Sequence, residues 1–234
     1  MDTRRVFDSI AEAVGNTPLV RLHRAINDDR SEVFAKIEFM NPMGSVKDRI
    51  ARYMVEQAIS DGQVQAGSTV VENSSGNTAM GLAMMAILEG MRCTMVVRAQ
   101  TSREKLDCLR AVGVDLVLVD GALPPEHPES YNQKAKRIFA ATPGAHFPNQ
   151  HNNRANNEAH YHTTGPEIWQ QMEGRIDYVV AGIGTGGTIC GVARYLKERD
   201  PSIRVVAVDP VGSVFFEYFH SGTVGTPGQY LLEN

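Results

Sequence analysis

Cysteine is scarce in this chain, with three among 234 residues, and Cys93, Cys108 and Cys190 stand too far apart for a CxxC metal or redox pair or a disulfide framework. They read as small buried hydrophobes. An excess of one charge is also missing: 23 basic and 27 acidic residues leave a net charge of −4, and no basic cluster tracks a nucleic-acid backbone, which excludes a nucleic-acid partner. No apolar run approaches membrane-spanning length, and the opening "MDTRRVFDSIAEAVGNTP" is too polar for the core of a signal peptide, so the expectation is a cytoplasmic protein without membrane contact. Fixed-period repeats and low-complexity segments are absent as well; "GALPPEHP" (121–128) is a loop too short for a linker.

What the chain does contain is an alternation of short valine-rich runs with longer helical patterns. "TVVEN" (69–73) leads through "SSGN" into "TAMGLAMMAILEGM", in which Met80, Ala83, Met84, Ile87 and Leu88 recur at helix spacing. "CTMVVRA" (93–99) precedes a helix that starts at a Ser102 cap and stops at Gly113. "VDLVLVDG" (114–121) is followed by a helix from about 128 to 141 and a short "AHFPNQ". After a polar turn come a helix through Glu167, Ile168 and Trp169, the run "YVVAGIG" (178–184), a helix through "VARYLKERD", and "RVVAVDP" (204–210). Runs this apolar belong in a sheet buried on both faces, which makes the fold class α/β with mostly parallel strands. The final "HSGTVGTPGQYLLEN" is rich in glycine and closes with no further element, as in a chain cut short.

"GIGTGG" (182–187) matches the dinucleotide spacing G-x-G-x-x-G, with a strand before it, a helix after it and Asp209 22 positions beyond Gly187. A glycine turn at a helix amino terminus holds any phosphate equally well, and Asp209 precedes Pro210 as a turn residue would. Locally, a dinucleotide and another phosphate ligand both fit.

"NPMGSVKDRIARYMVEQAISDG" (41–62) reads as a loop and a helix capped by Ser45 and Asp48. Lys47 then falls in the first turn, where the helix dipole disfavours a cation by roughly 0.3–1 kcal/mol. The same field lowers a lysine pKa, as a Schiff-base amine requires. The alternative is a solvated lysine offset by Asp48. Two further features favour the chemistry. "NSSGNTA" (73–79) offers the hydroxyls of Ser74, Ser75 and Thr78 to a carboxylate, and Asn77 as a donor to a phenolate oxygen. "GTGGT" (184–188) adds two threonine hydroxyls to a backbone nest, which suits a terminal phosphate. An amine, a carboxylate clasp and a phosphate cradle together describe pyridoxal phosphate holding an amino acid.

The sequence resembles the fold-type II pyridoxal-phosphate enzymes of β-replacement, cysteine synthase and cystathionine β-synthase. The motifs that carry the likeness are "GNTPLVRL" (15–22), "NPMGSVKDR" (41–49), "NSSGNTAMGLA" (73–83), "NQHNNRANNEAHYHTTGPEI" (149–168), "GIGTGGTICGVARYLKE" (182–198) and "VDPVGS" (208–213), with "AHYHTTGPEI", "VDPVGSV" and "HPES" (127–130) nearer the cystathionine β-synthase branch. The resemblance implies a tryptophan-synthase-β-like architecture of two three-layer α/β domains: a smaller one over 41–151, and a larger one from 1–40 with 152–234. It implies pyridoxal 5'-phosphate as cofactor, with Lys47 as the Schiff-base lysine, Asn77 on the ring oxygen, and Gly184, Thr185, Gly186, Gly187 and Thr188 as the phosphate loop. Ser74, Ser75, Thr78 and Gln150 would hold the substrate carboxylate.

The implied activity is replacement of the β-substituent of serine, O-acetylserine or O-phosphoserine by a thiol, sulfide or amine through an aminoacrylate, in a homodimer. The alternatives are β-elimination of serine or threonine, as in a deaminase, and a non-catalytic module binding pyridoxal phosphate or a nucleotide. The chain departs from the family pattern at Asn73, Ser74 and Ala79, where proline, threonine and glycine are common. His151 stands in place of tyrosine or phenylalanine, close to the expected substrate. His160 and His162 read as surface or packing residues, no metal is expected, and no cysteine and histidine pair suited to haem precedes "GNTP". No residue here matches the serine or threonine that faces the pyridine nitrogen in the family.

Overall fold

The computed structural model describes residues 6–24, 30–124 and 126–228. In chain order the elements are β1 (Leu19–Arg21), β2 (Phe34–Lys36), α1 (Lys47–Ser60), β3 (Thr69–Asn73), α2 (Asn77–Leu88), β4 (Arg92–Arg98), α3 (Arg103–Ala111), β5 (Asp115–Val119), α4 (Tyr131–Ala141), β6 (Ala145–His146), α5 (Ala155–His162), α6 (Thr164–Gln171), β7 (Tyr178–Gly182), α7 (Gly187–Lys197), β8 (Arg204–Val208) and α8 (Phe215–Ser221). Contacts divide the chain into two compact units, Met1–Ala155 and Asn156–Asn234.

In the first unit a four-stranded parallel sheet runs in the order β5-β4-β3-β6, and β1 pairs antiparallel with β2 beside it in sequence. β3 is buried at all five positions, as its central place in a parallel sheet demands, although only Val70 and Val71 are apolar and Thr69, Glu72 and Asn73 are buried polar residues. Its neighbour β4 contributes Cys93, Met95, Val96 and Val97 to the core. α1 and α2 bury Ile50, Ala51, Met54 and Val55 alongside Ala79, Leu82, Ala83 and Met85. Gly81 allows the close approach of these two helices. A Cβ there would lie 2.8 Å from the Ala51 Cβ and 3.2 Å from the Lys47 carbonyl oxygen, so the first turn of α1 is seated on α2.

The second unit contains a two-stranded parallel sheet, β7-β8, joined by α7. Val192, Leu196 and Ile203 form its core with Ile168, Trp169, Ile176, Val179 and Tyr195 packed around them. Here two sequence expectations need correction. The runs of β7 and β8 are not buried on both faces: Tyr178, Val180, Val206 and Val208 are 41–63% exposed, because the helical layer of this unit covers only Val179 and Ala181 of β7 and Val205 of β8. Nor are all three cysteines buried. Cys93 is, but Cys108 and Cys190 are exposed, each on a helix whose inward positions are taken by Leu106 and Leu109, or by Ile189 and Val192.

Candidate functional site

Lys47 is the first residue of α1. The expected cap is displaced by one residue: Val46 occupies the cap position, while the Ser45 hydroxyl accepts the Lys47 N–H at 3.1 Å. Gly44, at φ +82°, supplies the left-handed turn that leads in. Asp48 does not offset the lysine charge. It is wholly buried, its Oδ2 accepts the Met43 N–H at 2.6 Å, and burial, reinforced by the nearby Glu38 charge, pushes its pKa up to about 6 against the pull of the Met43 and Ser45 bonds. Among the described residues the Lys47 ammonium has no ion-pair partner, and burial alone lowers its pKa.

The turn after β3 carries the next group. Gly76 takes the cap position of α2 without a side-chain cap, so the first N–H groups of that helix face outward. Ser74 is buried and its Oγ accepts the Gly76 N–H at 3.4 Å. Ser75 Oγ accepts the Arg98 N–H at 3.0 Å. The Thr78 hydroxyl donates to Gln150 Oε1 at 2.6 Å across 72 residues of sequence, and both side chains are buried. Asn77 is exposed at the head of α2. The structure therefore gathers Ser74, Ser75, Asn77, Thr78 and Gln150 into one cluster, which Gly81 holds next to the turn bearing Lys47. His151 follows at the rim of a cavity of about 330 Å³ that Asn73, Arg98, Tyr131, Lys136 and Asn149 also line.

Two supports of this cluster were not anticipated from sequence. Glu72 is fully buried beneath it and accepts the N–H groups of Asn73 (3.0 Å) and Gln150 (3.2 Å), which fastens the two loops together. Burial outweighs those donors and raises its pKa to about 7. The second support explains "GNTP". Glu38 receives both Arg49 Nε at 2.7 Å and Nη2 at 2.8 Å, the Thr17 hydroxyl at 2.6 Å and Asn41 Nδ2 at 2.9 Å, while Asn41 Oδ1 accepts the Gly15 N–H. Burial pushes the Glu38 pKa up, but Arg49 and the other donors together hold it below the ordinary carboxylate value. This clasp ties residues 15–17 to the loop that ends at Lys47. A buried glutamate in an apolar strand was the only signal for the first; the second has none, since its partners are far apart in sequence.

In the second unit, the turn between β7 and α7 has Gly186 at the cap position with φ +82° and no side-chain cap. Among the described residues the N–H groups of Gly184, Thr185, Gly186 and Thr188 meet no acceptor, as in a nest open to an anion. A Cβ at Gly184 would meet nothing within 4 Å, whereas one at Gly187 would collide with Asn156. Gly187 thus has a packing duty as well as its place in the expected loop. Asp209 caps α8 through the Phe216 N–H at 2.9 Å, the turn role rather than a ribose contact. His160 is 1% exposed and reaches Thr188; His162 is exposed beside Glu158. No cluster suited to a metal ion exists among the described residues, and no helix there is long and apolar enough to cross a membrane.

The first unit carries a glycine turn at the head of α2 and, at the head of α1, a desolvated lysine with no ion-pair partner among the described residues; the second carries a glycine turn at the head of α7, and each such turn is suited to an anionic group. Residues 10–228 match the family described as pyridoxal-phosphate dependent enzyme, and the chain belongs to that family. It is 41% identical over 215 residues to the cystathionine beta-synthase of Apis mellifera, covering 91% of this chain and 43% of that protein. It is 44% identical over 218 residues to cysteine synthase 1 of Neurospora crassa, covering 93% of this chain and 58% of that protein. The crystal structure of an O-acetylserine dependent cystathionine beta-synthase from Helicobacter pylori superposes with a TM-score of 0.87 at 34% identity, over 98% of this chain and 72% of that one. The chain spans about two fifths to three fifths of the length of the two sequence relatives. The residues present fit the family's cofactor: a lysine whose amine burial favours in its neutral form, and a turn with four unengaged N–H groups and two hydroxyls for a phosphate.

Proposed function

We propose that the protein replaces the β-substituent of serine or an O-activated serine, O-acetylserine or O-phosphoserine, with a thiol, sulfide or amine, using pyridoxal 5'-phosphate. The observation that carries this reading is the seating of the Lys47 turn against α2, whose head carries the carboxylate loop. An amine for the cofactor and a clasp for an amino acid are thereby set side by side on packed helices. The names of the relatives, cystathionine beta-synthase and cysteine synthase, point to the same chemistry.

In this reading Lys47 holds the cofactor covalently, Asn77 donates to its ring oxygen, and residues 184–188 receive its phosphate. When bound, the cofactor supplies an electron sink for the substrate α-carbon. The chain does the rest. Ser74, Ser75, Thr78 and Gln150 bind the substrate carboxylate, which requires the Thr78 hydroxyl to turn from Gln150 Oε1 towards the ligand. The amine of Lys47, when released, takes the proton from the α-carbon; burial lowers its pKa and so favours the neutral form that can do so. His151 borders the space in which the incoming nucleophile is accommodated. The family likeness extends the proposal to a cytoplasmic homodimer with the smaller domain over 41–151.

Absorbance and product analysis test it. Purified protein should show the visible band of lysine-bound cofactor, and Lys47→Ala should abolish it; a band that survives the substitution overturns the assignment. Serine, O-acetylserine and O-phosphoserine should each be assayed with sulfide, homocysteine and an amine, with the product identified by mass. Release of pyruvate and ammonia with no acceptor incorporated would indicate β-elimination instead.

A further inference from the structure

α5 lies against the first turn of α7. The approach depends on Gly187 and Gly191, one helical turn apart. A methyl group at Gly187 would strike the Asn156 side chain, and one at Gly191 would strike the Asn157 carbonyl and come within 2.8 Å of the His160 Cβ. Asn156 and His160, also one turn apart, thereby reach the two threonines of the loop. Asn156 Nδ2 donates to Thr185 Oγ1 at 3.0 Å, and the Gly187 N–H is 3.4 Å from the same oxygen. An oxygen that already accepts has its own proton left to give outward. His160 is the less obvious case. Its Nε2 is 3.1 Å from Thr188 Oγ1 and its Nδ1 is 2.9 Å from Thr164 Oγ1.

A neutral imidazole carries one N–H, so two arrangements exist. With the proton on Nδ1, Thr188 donates to His160 and turns lone pairs towards the loop, where they repel a phosphate. With the proton on Nε2, Thr188 accepts from His160 and its proton is available to the anion. Thr163 helps decide between them: its hydroxyl donates to the Ala159 carbonyl at 2.6 Å, and it stands 3.5 Å from Thr164, so the shorter outlet for the Thr164 proton is His160 Nδ1.

We propose that His160 is a positioning residue, held as the Nε2–H tautomer by Thr164, that makes the Thr188 hydroxyl a donor to a phosphate, as Asn156 does for Thr185. This rests on the reading of residues 184–188 as the cofactor's phosphate loop. The buried face of α5 sets the polarity of the loop's hydroxyls before any ligand arrives, so that binding needs no rearrangement of donors.

Two measurements on the full chain test it. In protein labelled with nitrogen-15 histidine, with the His160 resonances assigned by their loss in His160→Gln, long-range proton–nitrogen spectra should show the Nε2–H form; the Nδ1–H form overturns the proposal. Dissociation constants for pyridoxal phosphate and for pyridoxal, which lacks the phosphate, should then be compared. His160→Asn, whose amide is too short to reach Thr188, should weaken pyridoxal phosphate by about tenfold, the scale of one hydrogen bond to a charged group, and leave pyridoxal unchanged. His160→Gln, with an amide near the Nε2 position, should stay within about twofold of the parent for both. Equal weakening of both ligands by His160→Asn would mean general distortion and overturn this inference alone. A parent protein that binds pyridoxal phosphate no better than pyridoxal would overturn the phosphate-loop reading itself. Should the variants fail to fold, through-bond correlation of the ring to the His160 backbone assigns the same resonances in the parent protein, whose tautomer then decides the proposal.

Discussion

Both units join a parallel strand to an uncapped helix head through a short glycine turn, yet the hydroxyls there are set oppositely. At the head of α2 the Thr78 proton is already given to Gln150 Oε1, so the clasp is closed upon itself and must open for a carboxylate. At the head of α7, Thr185 accepts from Asn156 and Gly187, which leaves its own proton to give. A closed clasp suits a substrate that comes and goes at every turnover; a loop with its donors already set suits a group that stays bound. The sheets differ in parallel fashion. β3 is covered on both faces, whereas β7 presents alternate residues to solvent and β8 all but Val205.

Changes of backbone clearance should break the comparison most sharply. Gly191→Ala places a methyl group against the Asn157 carbonyl and should cost about 3 kcal/mol by denaturant titration, while Gly184→Ala, with open space around it, should leave stability unchanged. Next in size, Val71→Thr puts a hydroxyl without room for water in the covered sheet and should destabilise by about 1–3 kcal/mol; Val180→Thr, at a position 63% exposed, should stay within about 0.5 kcal/mol. The two hydroxyls should separate in kinetics: Thr78→Val raises KM for the donor amino acid by about tenfold with cofactor affinity unchanged, and Thr185→Val does the reverse.

More gradual than these is a pH dependence that Glu72 gives the first unit. Glu72 releases its proton near pH 4.5 when unfolded and near pH 7 when folded, because burial favours the neutral acid. Between these values the folded chain holds more protons, so stability falls as pH rises, by at most about 1.4 kcal/mol per pH unit, and levels off above about pH 7. Glu72→Gln should flatten that slope, as read from denaturant midpoints across the range. A slope that persists unchanged would assign the titration to another group.

Much of the strand and helix order was legible because periodicity and glycine turns are local signals. "TVVEN" is β3 residue for residue, and the other runs lie within one or two residues of their strands. The cap of α1 was misplaced by one position because Ser45 bonds the Lys47 N–H while Val46 is already helical. The both-faces-buried reading failed for β7 and β8 because valine content reports apolarity and says nothing of how many layers are there to cover it. Glu72 and Asn156 drew no assignment and His160 was read only as a surface or packing residue, since a single polar residue in a strand or on a short helix has no pattern around it.

Residue order alone thus carried the alternation of strands and helices, the placing of Lys47 in a first turn, and the two glycine turns with their hydroxyls, all properties of segments a few residues long. The folded chain decided which way those hydroxyls point, because Gln150, Asn156 and His160 reach Thr78, Thr185 and Thr188 only across 72, 29 and 28 residues of sequence. It also decided that Lys47 stands without an ion pair among the described residues. Asp48 is its neighbour in sequence, but burial and the Met43 N–H turn that carboxylate away.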